Sequence, residues 1–358
     1  MGGEWAIVSE DEALARLGAE RTVVRGDAVT FAKGADGTVV IIVDAGDRPS
    51  GNAVAGERAI TLHEPFPDGV LEWLSPAGWS HPPFYALVRL TEGCLELGEV
   101  SESFSVGGSG GLRCELNWDA KLPPELLDRV RPVADTPLPG VEWLAHLPDD
   151  PGAALRDFLT GWYADLPAAA PFPVPAVPIP PALQAFYDLA AGRVDILGQQ
   201  DAIYPPDRLE IGGEDDDRII IGVENQGVWE ILIGRDDPDP TVYHHYGAGG
   251  DPVVAERGSL GAYLLLFSLT EAAVTSPVTG HAILDNQQLE RFTRHLIPVP
   301  LQPLAVPADP THLYVAPGLV ALTAGLHGDG THVFVGGRQR ASLRAARDWT
   351  TAWSRFNG

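Results

Sequence analysis

Histidine, serine and acidic side chains crowd together at a few places in this chain, and each place raises a specific chemistry. Ser80 and His81 follow Trp79 and precede Pro82-Pro83, the residue types of a nucleophile and its base. Neighbours in sequence rarely reach the mutual geometry such a pair requires, so a loop that packs a tryptophan is expected there. His244 and His245 are metal-ligand types, yet adjacent side chains on a strand point to opposite faces, and both are expected at a solvent edge. Gly107-Gly108-Ser109-Gly110-Gly111 has the glycine content of a phosphate cradle but no lysine or helix after it, and it reads as a hairpin tip. Glu214-Asp215-Asp216-Asp217 and Asp236-Asp237-Pro238-Asp239 offer carboxylates without the loop spacing of an EF-hand. Two readings stay open for them: solvated turns, or a face turned toward a cationic patch on a partner. No Walker-type, H-E-x-x-H or paired C-x-x-C pattern occurs, so neither catalysis nor a cofactor or metal is expected.

The elements that hold these residues belong to a chain of 358 residues, more than one hydrophobic core usually organises, so two domains are expected. Apolar residues make up 45% of it, enough for real cores. The net charge of −25 is shared by both halves. Such a field repels nucleic-acid phosphates and anionic membranes, and it serves either solubility or encounter with a basic partner. Met1 to Val8 has no basic segment followed by an apolar stretch, and no run approaches the ~20 apolar residues of a membrane span, so a cytoplasmic location is expected. The two cysteines, Cys94 and Cys114, suit a reducing compartment and read as buried thiols, though neighbouring strands would bring them near one another.

The fold class expected is α+β, two domains, each a mainly antiparallel sheet with flanking helices. Residues 1–165 open with a helix capped by Ser9 and Glu12. Strands follow at 22–25, 28–33 and 38–44, then an antiparallel meander at 84–91, 94–100, 103–106 and 112–117, and helices at 123–131 and after Asp150. Residues 166–180, reading LPAAAPFPVPAVPIP, exclude a regular helix or central strand. They form either a semi-rigid spacer or an arm laid along a domain through Phe172, Val174, Val177 and Ile179. Residues 181–358 begin with a helix to Ala191 that sets Leu183, Phe186, Tyr187 and Ala190 on one face. Strands at 218–224, 228–233 and 241–246 come next, then a long amphipathic helix capped by Ser259 and a helix at about 285–296. A hairpin at 313–315 and 319–324, a strand at 332–336 and a helix from Ser342 complete the chain.

Glu224-Asn225-Gln226-Gly227-Val228-Trp229 and, ten residues on, Asp239-Pro240-Thr241-Val242-Tyr243 carry a pattern of their own. With Pro181, Leu183, Phe186 and Tyr187 ahead of them and the helix from Ser259 behind, the C-terminal half resembles the SUKH superfamily, which holds bacterial toxin-immunity proteins and fungal regulators of cell-wall synthesis. Tyr243 stands where that family commonly has tryptophan. Read physically, Glu224, Asn225 and Gln226 satisfy loop backbone at a strand end, Gly227 permits the turn, and Trp229 and Tyr243 pack beneath the helix.

The resemblance implies an immunity protein that occludes a cognate protein toxin, often a nuclease or nucleic-acid deaminase in that superfamily. Asp215, Asp216, Asp217, Asp236, Asp237 and Asp239 would meet the toxin's basic cleft. A non-catalytic regulatory scaffold and an enzyme hosted by residues 1–165 are the alternatives of different class.

Overall fold

A computed structural model describes residues 5–46, 53–75, 82–106, 112–132, 137–167, 169–175, 177–212, 217–247, 253–325 and 330–358. The protein is α+β and divides into two compact units, Met1–Ala134 and Asp135–Gly358. The boundary therefore precedes the proline-rich run by some thirty residues, and the helix after Asp150 belongs with the second unit.

The first unit contains β1 (Ile7–Val8), α1 (Glu10–Ala15), β2 (Arg21–Arg25), β3 (Val29–Gly34), β4 (Val39–Asp44), β5 (Ala53–Ala55) and β6 (Ala59–His63). After these come α2 (Val70–Leu74), β7 (Phe84–Leu90), β8 (Gly93–Val106), β9 (Leu112–Asn117) and α3 (Pro124–Val130). Ser9 and Glu12 close α1 with a reciprocal capping box. The strand order is β2-β3-β4-β7-β8-β9-β6-β5, with β1 beside β8.

Two features depart from a simple meander. β4 runs parallel to β7, because β5, β6 and α2 intervene as a crossover. The two strands expected at 94–100 and 103–106 are one long β8, which pairs with β7 through Val100 and with β9 from Ser101. A register shift at Ala86/Leu87, opposite Gly98 in a left-handed conformation, marks where it bends. Both faces of β4 are covered, so its run is continuously apolar. Val39, Ile41 and Val43 face the second half of the sheet, while Val40 and Ile42 face α1 with Ala13, Leu14 and Leu17.

The second unit starts with a 3-10 turn at Glu142–His146, then α4 (Pro151–Trp162) and α5 (Pro181–Ala190). Its first sheet holds β10 (Asp201–Ile203), β11 (Glu210–Gly212), β12 (Arg218–Glu224), β13 (Trp229–Gly234), β14 (Thr241–Tyr246) and β15 (Val253–Ser259), in the order β10-β12-β13-β14-β15 with β11 also on β12. After α6 (Leu260–Thr275) come β16 (Val278–Leu284), α7 (Asn286–Thr293), β17 (Ile297–Pro298), β18 (Thr311–Ala316), β19 (Leu319–Ala324), β20 (Thr331–Gly337), α8 (Arg340–Ala345) and β21 (Trp353–Phe356). Their sheet runs β17-β18-β19-β20-β16-β21.

α6 is the centre of this unit. An amphipathic stripe was expected of it, but the helix is buried nearly all round, from Leu260 through Ala273 with few breaks. It contacts α4, α5, β14 and β15 as well as β16, β18, β19 and β20, so no side faces water. Among the described residues no helix is long and apolar enough to cross a membrane. The proline-rich run is an arm, not a free spacer: Leu166, Phe172, Val177 and Ile179 pack on the same core. Val174, the fourth apolar residue named for that arm, stays exposed.

Candidate functional site

β12 ends at Glu224 and β13 begins at Trp229, so Asn225 to Val228 form the turn, with Gly227 at a φ of +72°. The buried Glu224 carboxylate accepts hydrogen bonds from the Gln226 N–H at 2.8 Å, the Val228 N–H at 3.2 Å and Gln200 Nε2 at 3.0 Å. Asn225 donates its backbone N–H to the Gln200 carbonyl at 2.9 Å and its side-chain amide to Gln200 Oε1 at 3.3 Å. Glu224 and Asn225 thereby tie the turn to the segment entering β10. Gln226 is exposed.

A second carboxylate closes that segment from the other side. Glu271, from the C-terminal third of α6, accepts the backbone N–H groups of Gln199, Gln200 and Asp201 at 2.6, 3.1 and 2.8 Å. Burial raises the Glu271 carboxyl above its ordinary range, opposed by those backbone donors. Asp201 sits between the two, with a buried Oδ1 that has no hydrogen-bond partner among the described residues. Burial first, then the charges of Glu271 and Glu224, push its carboxyl up to about 7.

The aromatic residues of the motif separate. Val242 and His244 on β14 face α6, and Tyr243 faces the opposite side of the sheet, where the Arg218 guanidinium lies 4.4 Å above its ring. Tyr243 therefore does not pack beneath the helix, because the strand's alternation gives that place to its neighbours. His244 is not at a solvent edge either. It is buried against Tyr263 of α6 and Trp229, and its Nε2 lies 3.1 Å from Glu256 Oε1 without the angles of a hydrogen bond. Glu256 meanwhile accepts the N–H groups of Ala305 and Val306 at 2.9 and 3.3 Å. Phe186 packs edge-on to Phe267, and the Tyr187 hydroxyl donates to the Tyr204 carbonyl at 2.7 Å.

The carboxylates of Glu224, Glu256 and Glu271 and the hydroxyl of Tyr187 are thus engaged by the protein's own backbone and side chains. Among the described residues no cluster of histidine, cysteine or carboxylate side chains has the arrangement of a metal site.

The exposed acidic groups gather differently. Arg218 pairs with Gly234, and the Arg235 N–H donates to the Asp217 carbonyl at 2.9 Å, so the start of β12 and the end of β13 form one edge. Asp217, Asp236, Asp237 and Asp239 are all exposed there. Asp237 Oδ1 accepts the Asp239 N–H at 3.0 Å, a turn that stiffens the loop, and Pro240 is buried behind it. Arg218 and Arg235 share the edge, with Arg218 Nε 3.9 Å from Asp217 Oδ1. Asp215 and Asp216 lie outside the described residues, as do Ser80, His81 and the glycine run at 107–111.

The cysteines fall in separate clusters, Cys94 beneath α1 and Cys114 between the sheet halves, both free. Burial pushes the Cys114 thiol up to about 12, which makes it inert as a nucleophile.

Sequence reasoning missed a cavity of about 280 Å³ in the first unit, lined by Asp27, Phe31, Leu62, His63, Pro65 and Phe66 among others. Burial, then the nearby Arg113, lowers the pKa of His63. The isolated pair His63-Glu64 before Pro65 gives no spacing signal for such a cavity. No protein-family model matches the chain, and no curated protein or solved structure matches it either.

Proposed function

We propose that this chain is a non-catalytic binding protein that occludes a cognate protein toxin with a basic active-site cleft, such as a nuclease or nucleic-acid deaminase. The observation that carries the reading is the edge formed by Asp217, Asp236, Asp237 and Asp239, four exposed carboxylates in the loops beside the ends of β12, β13 and β14, within a chain of net charge −25. Carboxylates so placed steer a cationic surface into contact and stand in for substrate phosphates. The resemblance of the turn at Glu224 to Trp229 and of Asp239 to Tyr243 to the SUKH pattern points the same way.

The test is co-expression with toxins encoded beside the gene, followed by association kinetics. Protection of the cells and a stable complex are expected. Reversing all four aspartates to lysine is expected to slow association about tenfold or more at low salt, with the difference shrinking as salt rises. An association rate indifferent to both the reversal and the salt would remove this edge from the interface.

A further inference from the structure

The second unit carries a recess of about 140 Å³ between the 3-10 turn Glu142–His146 and α4. Its walls include Trp143, Phe158 and Trp162, each more than nine-tenths buried, with Phe158 touching both tryptophans. Trp143 meets Phe158 edge-on with ring centres 5.5 Å apart, and Phe158 stacks on Trp162 at 5.5 Å. Two exposed carboxylates, Glu142 and Asp157, also line it. Asp157 Oδ2 lies 2.8 Å from His146 Nε2, while the Glu142 carboxylate folds back across Gly140, where an added Cβ would come within 1.8 Å of it.

The remaining wall is Gly161, late in α4, where a Cβ would meet nothing within 4 Å. Alanine there would favour the helix and fit, so the helix forgoes stability at the position that borders the open space. Sites for drug-sized ligands occupy roughly 300–1,000 Å³, so this recess has room for one side-chain head group and little more. Aromatic faces attract cations through their quadrupoles, and carboxylates at the mouth supply the opposite charge.

We propose that this recess is a receptor for an arginine side chain of a partner protein. The planar guanidinium stacks on aromatic rings and forks to carboxylates, which a lysine ammonium does less well. That a partner carries the arginine rests on the proposed function, but the recess can be tested without any toxin.

The experiment titrates the full chain, labelled with 15N-tryptophan, with N-acetyl-arginine-methylamide, with its lysine counterpart and with the neutral citrulline isostere. Trp162 lines the recess, so its indole N–H signal, assigned with Trp162→Phe, reports on binding there. Saturable shifts with the arginine probe, weaker ones with lysine and none with citrulline are expected. Glu142→Gln combined with Asp157→Asn is expected to weaken arginine binding at least about fivefold, since each charge-assisted contact is lost from an exposed rim. Gly161→Leu is expected to abolish binding while leaving the thermal melting of the fold intact.

Citrulline binding as well as arginine, lysine binding more tightly, an unchanged affinity in the Gly161→Leu chain, or no saturable shift at all would each overturn the proposal. Failure of the toxin co-expression leaves these titrations unaffected, so the two readings fall separately.

Discussion

Asp201 is held against its own charge. One oxygen is buried without a hydrogen-bond partner among the described residues, and Glu271 and Glu224 add negative potential there. An acid whose folded pKa is raised binds its proton more tightly when folded than unfolded. The stabilisation it gives is complete below the ordinary aspartate pKa and is lost as pH rises through about 4 to about 7. Asp201→Asn keeps the shape and removes the charge, so it is expected to unfold at higher urea than the parent above neutral pH, by about 2–4 kcal/mol. Near pH 5 the gap is expected to be much smaller. Equal midpoints for the two chains at both pH values would mean that Asp201 is ionised without cost. Glu271 shows what was and was not legible at this scale. A single carboxylate inside Leu264-Leu265-Leu266-Phe267-Ser268-Leu269-Thr270-Glu271-Ala272-Ala273 must be buried and hydrogen-bonded. Its donors lie some seventy residues earlier, and no local pattern names them.

At the scale of elements, periodicity located those whose surroundings differ on their two sides. The capping box at Ser9 and the strands 218–224 and 241–246 stand where they were expected, and a capping box at Asp285, which was not read, opens the helix expected at about 285–296. Elements with unusual surroundings were harder to read. β15 carries Glu256 and Arg257 in a mostly exposed edge strand, so its composition resembles a loop. α6 has no polar face because sheets and helices enclose it, and a stripe read from half of its apolar residues could not reveal that. The close approach of α6 to β20 follows from Gly336, where an added Cβ would stand 1.9 Å from the Ala272 carbonyl oxygen, which is helix backbone and cannot rotate away. Gly336→Ala is therefore expected to cost at least about 3 kcal/mol, the range of overpacked cores and beyond. Gly234→Ala, whose Cβ would have 3.9 Å to Pro240, is expected to change stability by less than about 1 kcal/mol. Urea unfolding of both variants separates a backbone collision from a general intolerance of alanine in strands.

For the whole molecule, the division lies where cores end, and prolines mark only where regular elements end. The run from Leu166 to Pro181 breaks helix and strand, which made it the natural boundary in sequence, yet Leu155, Phe158, Leu159 and Trp162 of α4 join the same core as α6. Removing α4 uncovers that face of the second unit. Each large apolar side chain buried contributes roughly 1.5–3 kcal/mol, so the loss rivals the roughly 5–15 kcal/mol that holds a domain folded. A chain starting at Asp135 is therefore expected to unfold in one cooperative transition, and Met1–Ala134 to fold by itself. A chain starting at Pro181 is expected to aggregate or to bind a hydrophobic dye without a cooperative melt. If that shorter chain instead melts cooperatively at the same temperature as the one starting at Asp135, then α4 adds nothing to the second core and the proline-rich run is the true boundary after all.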